Sequence, residues 1–472
     1  MKMNRMKMWF LMAMMAGGML AFTSCDDKNG SDDNGGDDVV AGDPVLKGEI
    51  KGNRTLSADT VYTLDGFVYV VDGATLTIPA GTVIQGKSGT KAALIVERGG
   101  KLMAEGTAED PIIFTSDKPA GQRNYGDWGG VIICGKAVIN SGEAQVEGGP
   151  RTMYGGQNDN DNSGILRYVR IEYGGVEFDT DKEINGLTLC AVGSQTVIDH
   201  VQCSYIKDDS FEWFGGTVNC RNLVAFRGWD DDFDTDAGFR GTVQFAVSVR
   251  DIQVSDKSKS NGFESDNDGD GSSNTPLNNP RFSNVTLIGP YATLADTANT
   301  NSSFASDNAY GPYQAAMHLR RNTRLQVYNS VFAGWPLGLL LDSDNCMNSA
   351  EAGISDPVNN LVVKNCILAG MRQNFDQDVE SATLTTEEYF NNAALNNRVV
   401  ATNAELGIAG AFNLTSPSFL PESGSSLLSG ADFSGLTGFE TVDFIGAFGT
   451  EDWTAGWCNF DPQNTEYVAA AE

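Results

Sequence analysis

From residue 45 onward, apolar runs of four to eight residues alternate with clusters of Gly, Asn and Asp. Ala74-Thr75-Leu76-Thr77-Ile78, Ala93-Leu94-Ile95-Val96 and Pro111-Ile112-Ile113-Phe114 are early examples. Runs of this length, rich in β-branched residues and bounded by turn formers, predict short strands. Helical spacing is convincing only near Thr385–Leu395. The chain therefore reads as all-β: a sandwich, a barrel or a solenoid.

Alignment of the chain with itself discriminates among these. Asp199-His200-Val201, Arg221-Asn222-Leu223, Ser283-Asn284-Val285, Tyr328-Asn329-Ser330 and Lys364-Asn365-Cys366 each place a polar residue, usually Asn, before an apolar strand. His200 and Asn222 lie 22 residues apart, about one coil of a parallel β-helix, and the longer gaps imply inserted loops. Asn recurring at one turn position predicts a ladder of stacked amides. A second column follows 12 or 13 residues later: Phe211-Glu212, Phe233-Asp234, Phe263-Glu264, Met317-His318 and Leu341-Asp342, with Leu187-Thr188 as a preceding rung. Alternate strand residues face opposite sides. Phe211, Phe233, Phe263, Met317 and Leu341 should thus point into the core, and Glu212, Asp234, Glu264, His318 and Asp342 should stack outward.

The expected fold is a single-stranded right-handed parallel β-helix with capped ends, over residues 45–440. Rungs ~4.8 Å apart and roughly a dozen coils give a rod on the order of 60 Å long. Val45–Asp65 is the expected N-terminal cap. Residues 441–472 are the expected C-terminal cap, with Trp453, Trp457 and Phe460 over the last rung, because each coil buries apolar surface only against its neighbours.

The N-terminus reads as an export signal. Lys2, Arg5 and Lys7 precede an apolar run, Met8 to Phe22, that is short for a membrane span. Residues 1–24 end in small residues before Cys25, the pattern of a bacterial lipobox in which the cysteine is acylated and anchors the chain in a membrane. Residues 25–44 form an acidic, Gly-rich tether with nothing to bury. The net charge is −30, and losing the three positive residues of the signal makes it more negative still. Such a charge excludes nucleic acid as a partner, since phosphate binding needs clustered Lys and Arg. Two His in the whole chain exclude a multi-His zinc site. Beyond Cys25 seven cysteines remain, none in a CxxC pair, and they read mainly as small core residues with room for one disulfide.

The run Ile78-Pro79-Ala80-Gly81-Thr82-Val83-Ile84, then Asp127-Trp128-Gly129-Gly130-Val131, then Phe444-Ile445-Gly446-Ala447-Phe448 with Trp453-Thr454-Ala455-Gly456-Trp457, resembles right-handed β-helix lipoproteins of Bacteroidota outer membranes. The resemblance covers most of residues 45–465 and implies an exported protein held at the outer membrane and facing the cell exterior. It implies an outer-membrane, TonB-dependent receptor or other surface lipoproteins as partners. It carries no catalytic motif. The acidic run after Cys25 resembles the surface-export signal of the same lipoproteins.

Several segments could carry chemistry. Gly81–Ser88 matches the phosphate-loop pattern GxxxxGK[ST], but strand-like sequence flanks it on both sides where a helix would be needed, so no nucleotide is expected. Asp266-Asn267-Asp268-Gly269-Asp270-Gly271 resembles half a calcium loop, yet Leu277 stands where the bidentate Glu belongs. Asp159–Gly164 is a similar fragment. Asp234, Asp236, Asp266, Asp268 and Asp270 are the candidate Ca²⁺ ligands; the competing reading is a solvated acidic loop. Glu212, Asp234 and Glu264 on consecutive rungs should repel one another. They are expected to take a cation, hold a proton, or pair with His318, Arg320 and Arg321. Asp236, Asp266 and Asp344 should extend a parallel column. If the chain is an enzyme, Glu212, Asp234, Glu264, His318, Arg320 and Asp342 are its candidate catalytic residues, as a glycoside hydrolase or a lyase. Trp213 should be core by parity, whereas Trp229 and Trp335, in turns, should be exposed and able to stack on a sugar. Three functions compete: a non-catalytic surface binding or scaffold component, a carbohydrate-active enzyme, and an adhesin.

Overall fold

The computed structural model describes residues 43–179, 182–296 and 312–470; the signal segment, Cys25 and the tether up to residue 42 lie outside the described residues. The chain winds into a right-handed parallel β-helix, its strands joined in a single sheet of 26. Val45–Ile50 pairs in parallel with Tyr62–Val70, so the segment expected to cap the N-terminal end is already the first coil, with Leu46 and Ile50 buried. The strand Val197–Ser204 pairs with Asn219–Phe226, that strand with Thr242–Val249, and that one with Arg281–Ile288. A shorter column runs beside them: Leu187–Val192, Phe211–Gly216, Phe233–Asp236, Phe263–Ser265, Ala315–Arg320 and Leu337–Asp342.

The polar turn column bends each long strand. His200, Asn222, Phe245, Asn284, Asn329, Asn365 and Asn396 all have φ between 50 and 61°. Asn tolerates this left-handed conformation better than most residues, which explains its recurrence. Phe245 occupies one rung of the column and had no Asn to reveal it. The expected ladder is present at the later rungs, where Asn396 Nδ2 donates to Asn365 Oδ1 and Asn365 Nδ2 to Asn329 Oδ1, both at 2.7 Å.

Core packing follows strand parity. Phe211, Phe233, Phe263 and Met317 are register partners and fully buried, and successive Phe rings lie 5.5 and 5.8 Å apart. Trp213 stacks on Phe239 at 5.5 Å. One register differs from expectation. Leu339, not Leu341, opposes Met317, so Leu340 follows His318 in its column and Asp342 opposes Arg320. A shift of two residues leaves every side chain on its face, so alternation could not detect it. Asp342 thereby takes the place expected for Asp344 in the parallel column with Asp236 and Asp266, and Asp344 instead opens a short helix, Asp344–Gly353. Thr385 caps the other helix, Thr386–Phe390, through a capping box with Glu388. No described helix is long and apolar enough to cross a membrane.

The C-terminal segment does not cover the last rung. It runs back along the turn column as a strap. The amides of Asn365, Asn329 and Asn284 donate to the carbonyls of Gly430, Asp432 and Phe444. Gln244 and Gln202 each exchange two hydrogen bonds with a strap peptide group, at Glu440 and Asn459. Trp457 packs on Tyr168 and His200, and Phe460 on Phe226. Tyr467 donates to buried Glu172 at 2.7 Å, and the Ala470 amide reaches Ala58 near the first coil. The strap needs no apolar periodicity because its backbone is held by side-chain amides, and for that reason the sequence pattern gave no sign of its path. The seven described cysteines are all free thiols; Cys134 and Cys190 are register partners.

Candidate functional site

The acidic face grows from two side-chain columns set by one register. The first is Thr188, Glu212, Asp234, Glu264 and His318, consecutive Cα partners on the shorter strands. The second stands three residues earlier in each coil, in the turn that enters the strand: Asn185, Asp209, Asp231 and Asn261. From Asp231 onward, each rung sends a backbone N–H to the side chain one rung back. Asp231 N donates to Asp209 Oδ1 at 2.9 Å, Asn261 N to Asp231 Oδ1, and Ala315 N to Asn261 Oδ1 at 3.1 Å. Strand parity does not expose this second ladder, because its members lie in turns, although Asp-Asp-Ser-Phe and Asp-Asp-Asp-Phe recur 22 residues apart.

The columns, with Asp208 and Asp230 beside them, bring seven carboxylates together. Asp208, Asp209 and Asp230 form one trio whose ligand atoms all lie within 4.8 Å of one another. Asp209, Glu212 and Asp234 form a second, and Asp231, Asp234 and Glu264 a third. Asp209 and Asp231 are buried and the others half-buried. Like charges ~5 Å apart near a protein surface repel by about 3 kcal/mol per pair. Burial, reinforced by neighbouring carboxylates, pushes Asp208, Asp209, Glu212, Asp230 and Asp234 well above the usual carboxylate range. Burial with the charge of Glu264 pushes Asp231 up to about 8.

One end of the face is neutralised. Glu264 is paired with Arg320, faces His318 Nδ1 at 3.4 Å and accepts from Asn261 Nδ2 at 3.3 Å. Burial raises its carboxyl, but the hydrogen bond to His318 and the charge of Arg320 outweigh that and lower it overall. His318 Nε2 meets Asp342 Oδ2 at 2.8 Å. Burial lowers the imidazole, yet its bonds to Asp342 and Glu264 prevail and raise it to about 8. Asp266 is held by Arg320 at 2.8 Å and Arg321 at 2.9 Å.

The remaining candidates are placed as follows. Of the expected calcium ligands only Asp234 joins a trio. Asp236 extends the column beyond Asp234, with burial raising it to about 6. Asp268 closes its own loop, accepting from Ser272 N at 2.9 Å and Asp270 N at 3.2 Å, and Asp270 is exposed. Asp159 grips Arg240 through both oxygens at 3.1 Å. Gly81–Ser88 forms a turn and the strand Val83–Gly86. The tryptophan expectation is corrected: Trp229 is 4% exposed and Trp335 fully buried. The turns that carry them fold inward, Trp229 against Tyr125 and Trp335 against Tyr313 with its Nε1 on the Leu287 carbonyl at 3.3 Å. Neither can stack on a sugar.

The donor set is all oxygen at its centre, which suits a hard divalent cation. Asp209, Glu212 and Asp234 would hold it, with Asn185 beside them. Asn185 is 4% exposed and its Nδ2 donates to Glu212, while its Oδ1 has no hydrogen-bond partner among the described residues. The same holds for Asp234 Oδ1 and for the hydroxyl of Thr188, the next rung of the column. Buried oxygens without a hydrogen-bond partner, facing clustered carboxylates, are suited to coordinate a cation.

A family model for the pectate-lyase-like β-helix domain matches residues 48–416, leaving the strap outside it. No curated protein and no solved structure matches the chain.

Proposed function

The chain belongs to the pectate-lyase-like β-helix family, and from that premise we propose that it is a Ca²⁺-holding binding component of an outer-membrane uptake complex, anchored through Cys25 and facing the cell exterior. The observation that carries this reading is the run of three interlocked carboxylate trios, with unpartnered buried oxygens beside them. Bound Ca²⁺ would replace protons and fix the two columns as one rigid surface. The lipobox and acidic tether support the location, and the resemblance to Bacteroidota surface lipoproteins supports an outer-membrane, TonB-dependent receptor as partner. The test is affinity capture of the lipidated protein from outer membranes in gentle detergent. With Ca²⁺ an outer-membrane receptor should co-purify, and EDTA should release it. Recovery of the protein alone under both conditions contradicts the proposal.

One observation favours a carbohydrate-active second reading. Asp234 and Glu264 stand on consecutive rungs, one raised and one lowered, with oxygens within 4.8 Å. A neutral acid beside an ionised carboxylate, ~5 Å apart, is the arrangement of a retaining glycosidase. Against it, Arg320, His318 and Asn261 already occupy the oxygens of Glu264, which weakens it as a nucleophile. This reading requires glycan turnover that Asp234→Asn abolishes.

A further inference from the structure

The strap is fastened unevenly, and the gap in its fastening is a cavity. At Asn284, Asn329 and Asn365 the turn-column amide donates to a strap carbonyl. Gln202 and Gln244 grip strap peptides on either side of the coil that carries Asn222. At Asn222 itself nothing is fastened. Its side chain has no hydrogen-bond partner among the described residues, although the residue is only 7% exposed and lines the cavity. The next rung carries Phe245 in place of Asn, and its ring stacks on Phe444 of the strap at 6.0 Å. Around Asn222, strap and coil border an open-sided cavity of about 490 Å³.

That volume lies within the ~300–1,000 Å³ of ordinary small-ligand sites. Phe444 and Trp453 supply aromatic surface, Phe245 is buried behind Phe444, and Arg221, paired with Glu440, lines the cavity with Glu451. Aromatic walls suit the C–H face of a pyranose, while a free carboxamide and a charged rim suit its hydroxyls. We propose that this cavity between strap and coil binds a neutral saccharide, with the Asn222 amide as its central hydrogen-bonding group. The site lies on the long-strand column, away from the acidic face, and the inference does not depend on the metal reading.

The probes are the methyl glycosides of glucose, galactose, mannose and N-acetylglucosamine, titrated into the full chain in EDTA and followed by saturation-transfer NMR and tryptophan fluorescence. At least one should bind saturably. Asn222→Gly keeps the left-handed backbone and removes the amide, so it should weaken binding at least about tenfold, the effect of one or two lost hydrogen bonds. Val442→Trp, which fills the cavity from the strap side, should abolish binding while the thermal midpoint is retained. Absence of saturable binding by the unsubstituted chain overturns the proposal. So does binding that both variants leave unchanged.

Discussion

Freed of divalent cations, the protein should become less stable as pH rises from about 4 to about 8, the reverse of ordinary acid denaturation. In the folded chain Asp208, Asp209, Glu212, Asp230, Asp231 and Asp234 hold protons well above the usual carboxylate range, Asp231 to about 8. In the unfolded chain the same groups ionise near 4. Between those values the folded state binds more protons, so each step up in pH favours unfolding. His318 adds the same sign: its contribution is complete below its unfolded value of about 6.5 and is lost as pH rises through about 8. Glu264 and Asp342 act oppositely, since both are lowered, and their contribution is lost only as pH falls below the carboxylate range. Each unit by which a carboxyl is held up is worth about 1.4 kcal/mol, so the net loss from about pH 5 to about pH 8 should exceed ~2 kcal/mol. Ca²⁺ competes with those protons, so in millimolar Ca²⁺ the trend should invert. Chemical denaturation at several pH values, with EDTA and with Ca²⁺, reads both slopes. A stability that rises with pH in EDTA contradicts the expectation.

The second large effect lies under the acidic turns. Asp232 and Arg250 form an ion pair at 2.8 Å with neither side chain exposed. Arg250 also donates to the Trp229 carbonyl at 3.2 Å and lies over the rings of Tyr313 and Trp335. The guanidinium therefore fixes the two turns whose tryptophans the sequence placed at the surface. Arg250→Met should cost about 3–5 kcal/mol, because it leaves a buried carboxylate without a counter-charge. Replacing both partners, Asp232→Asn with Arg250→Met, should restore part of that loss, since the unpaired charge is gone. Urea denaturation of the single and double variants measures it. A single-variant cost below about 1 kcal/mol would mean that the pair does not organise the turns.

The coil was legible because two columns repeat with their neighbours in phase. Phe-Glu, Phe-Asp, Phe-Glu and Met-His recur at strand parity, and register then brings Glu212, Asp234, Glu264 and His318 into one file. The last rung was displaced by two residues because Leu339 and Leu341 are equally apolar and face the same side. The other half of the acidic face was hidden. Asp209 and Asp231 act through backbone N–H groups of the next coil, and nothing in a hydropathy pattern separates that role from an ordinary turn. The strap was invisible for a related reason, being held by amides of Gln202, Gln244 and Asn284 more than 150 residues away. Trp229 and Trp335 were misplaced because a Gly-Trp turn has no parity from which to read burial; their direction is set by Arg250 and Tyr313, which arrive from other coils.

Isothermal titration of the metal-free protein with CaCl₂, repeated in buffers of different ionisation enthalpy, tests most directly whether the two columns form one cation site. Saturable uptake of at least one Ca²⁺ per chain is predicted, with proton release, and with loss of both in a Glu212→Gln, Asp234→Asn double variant that remains folded. A folded protein that takes up no Ca²⁺, or one whose uptake the double variant leaves intact, would contradict the account.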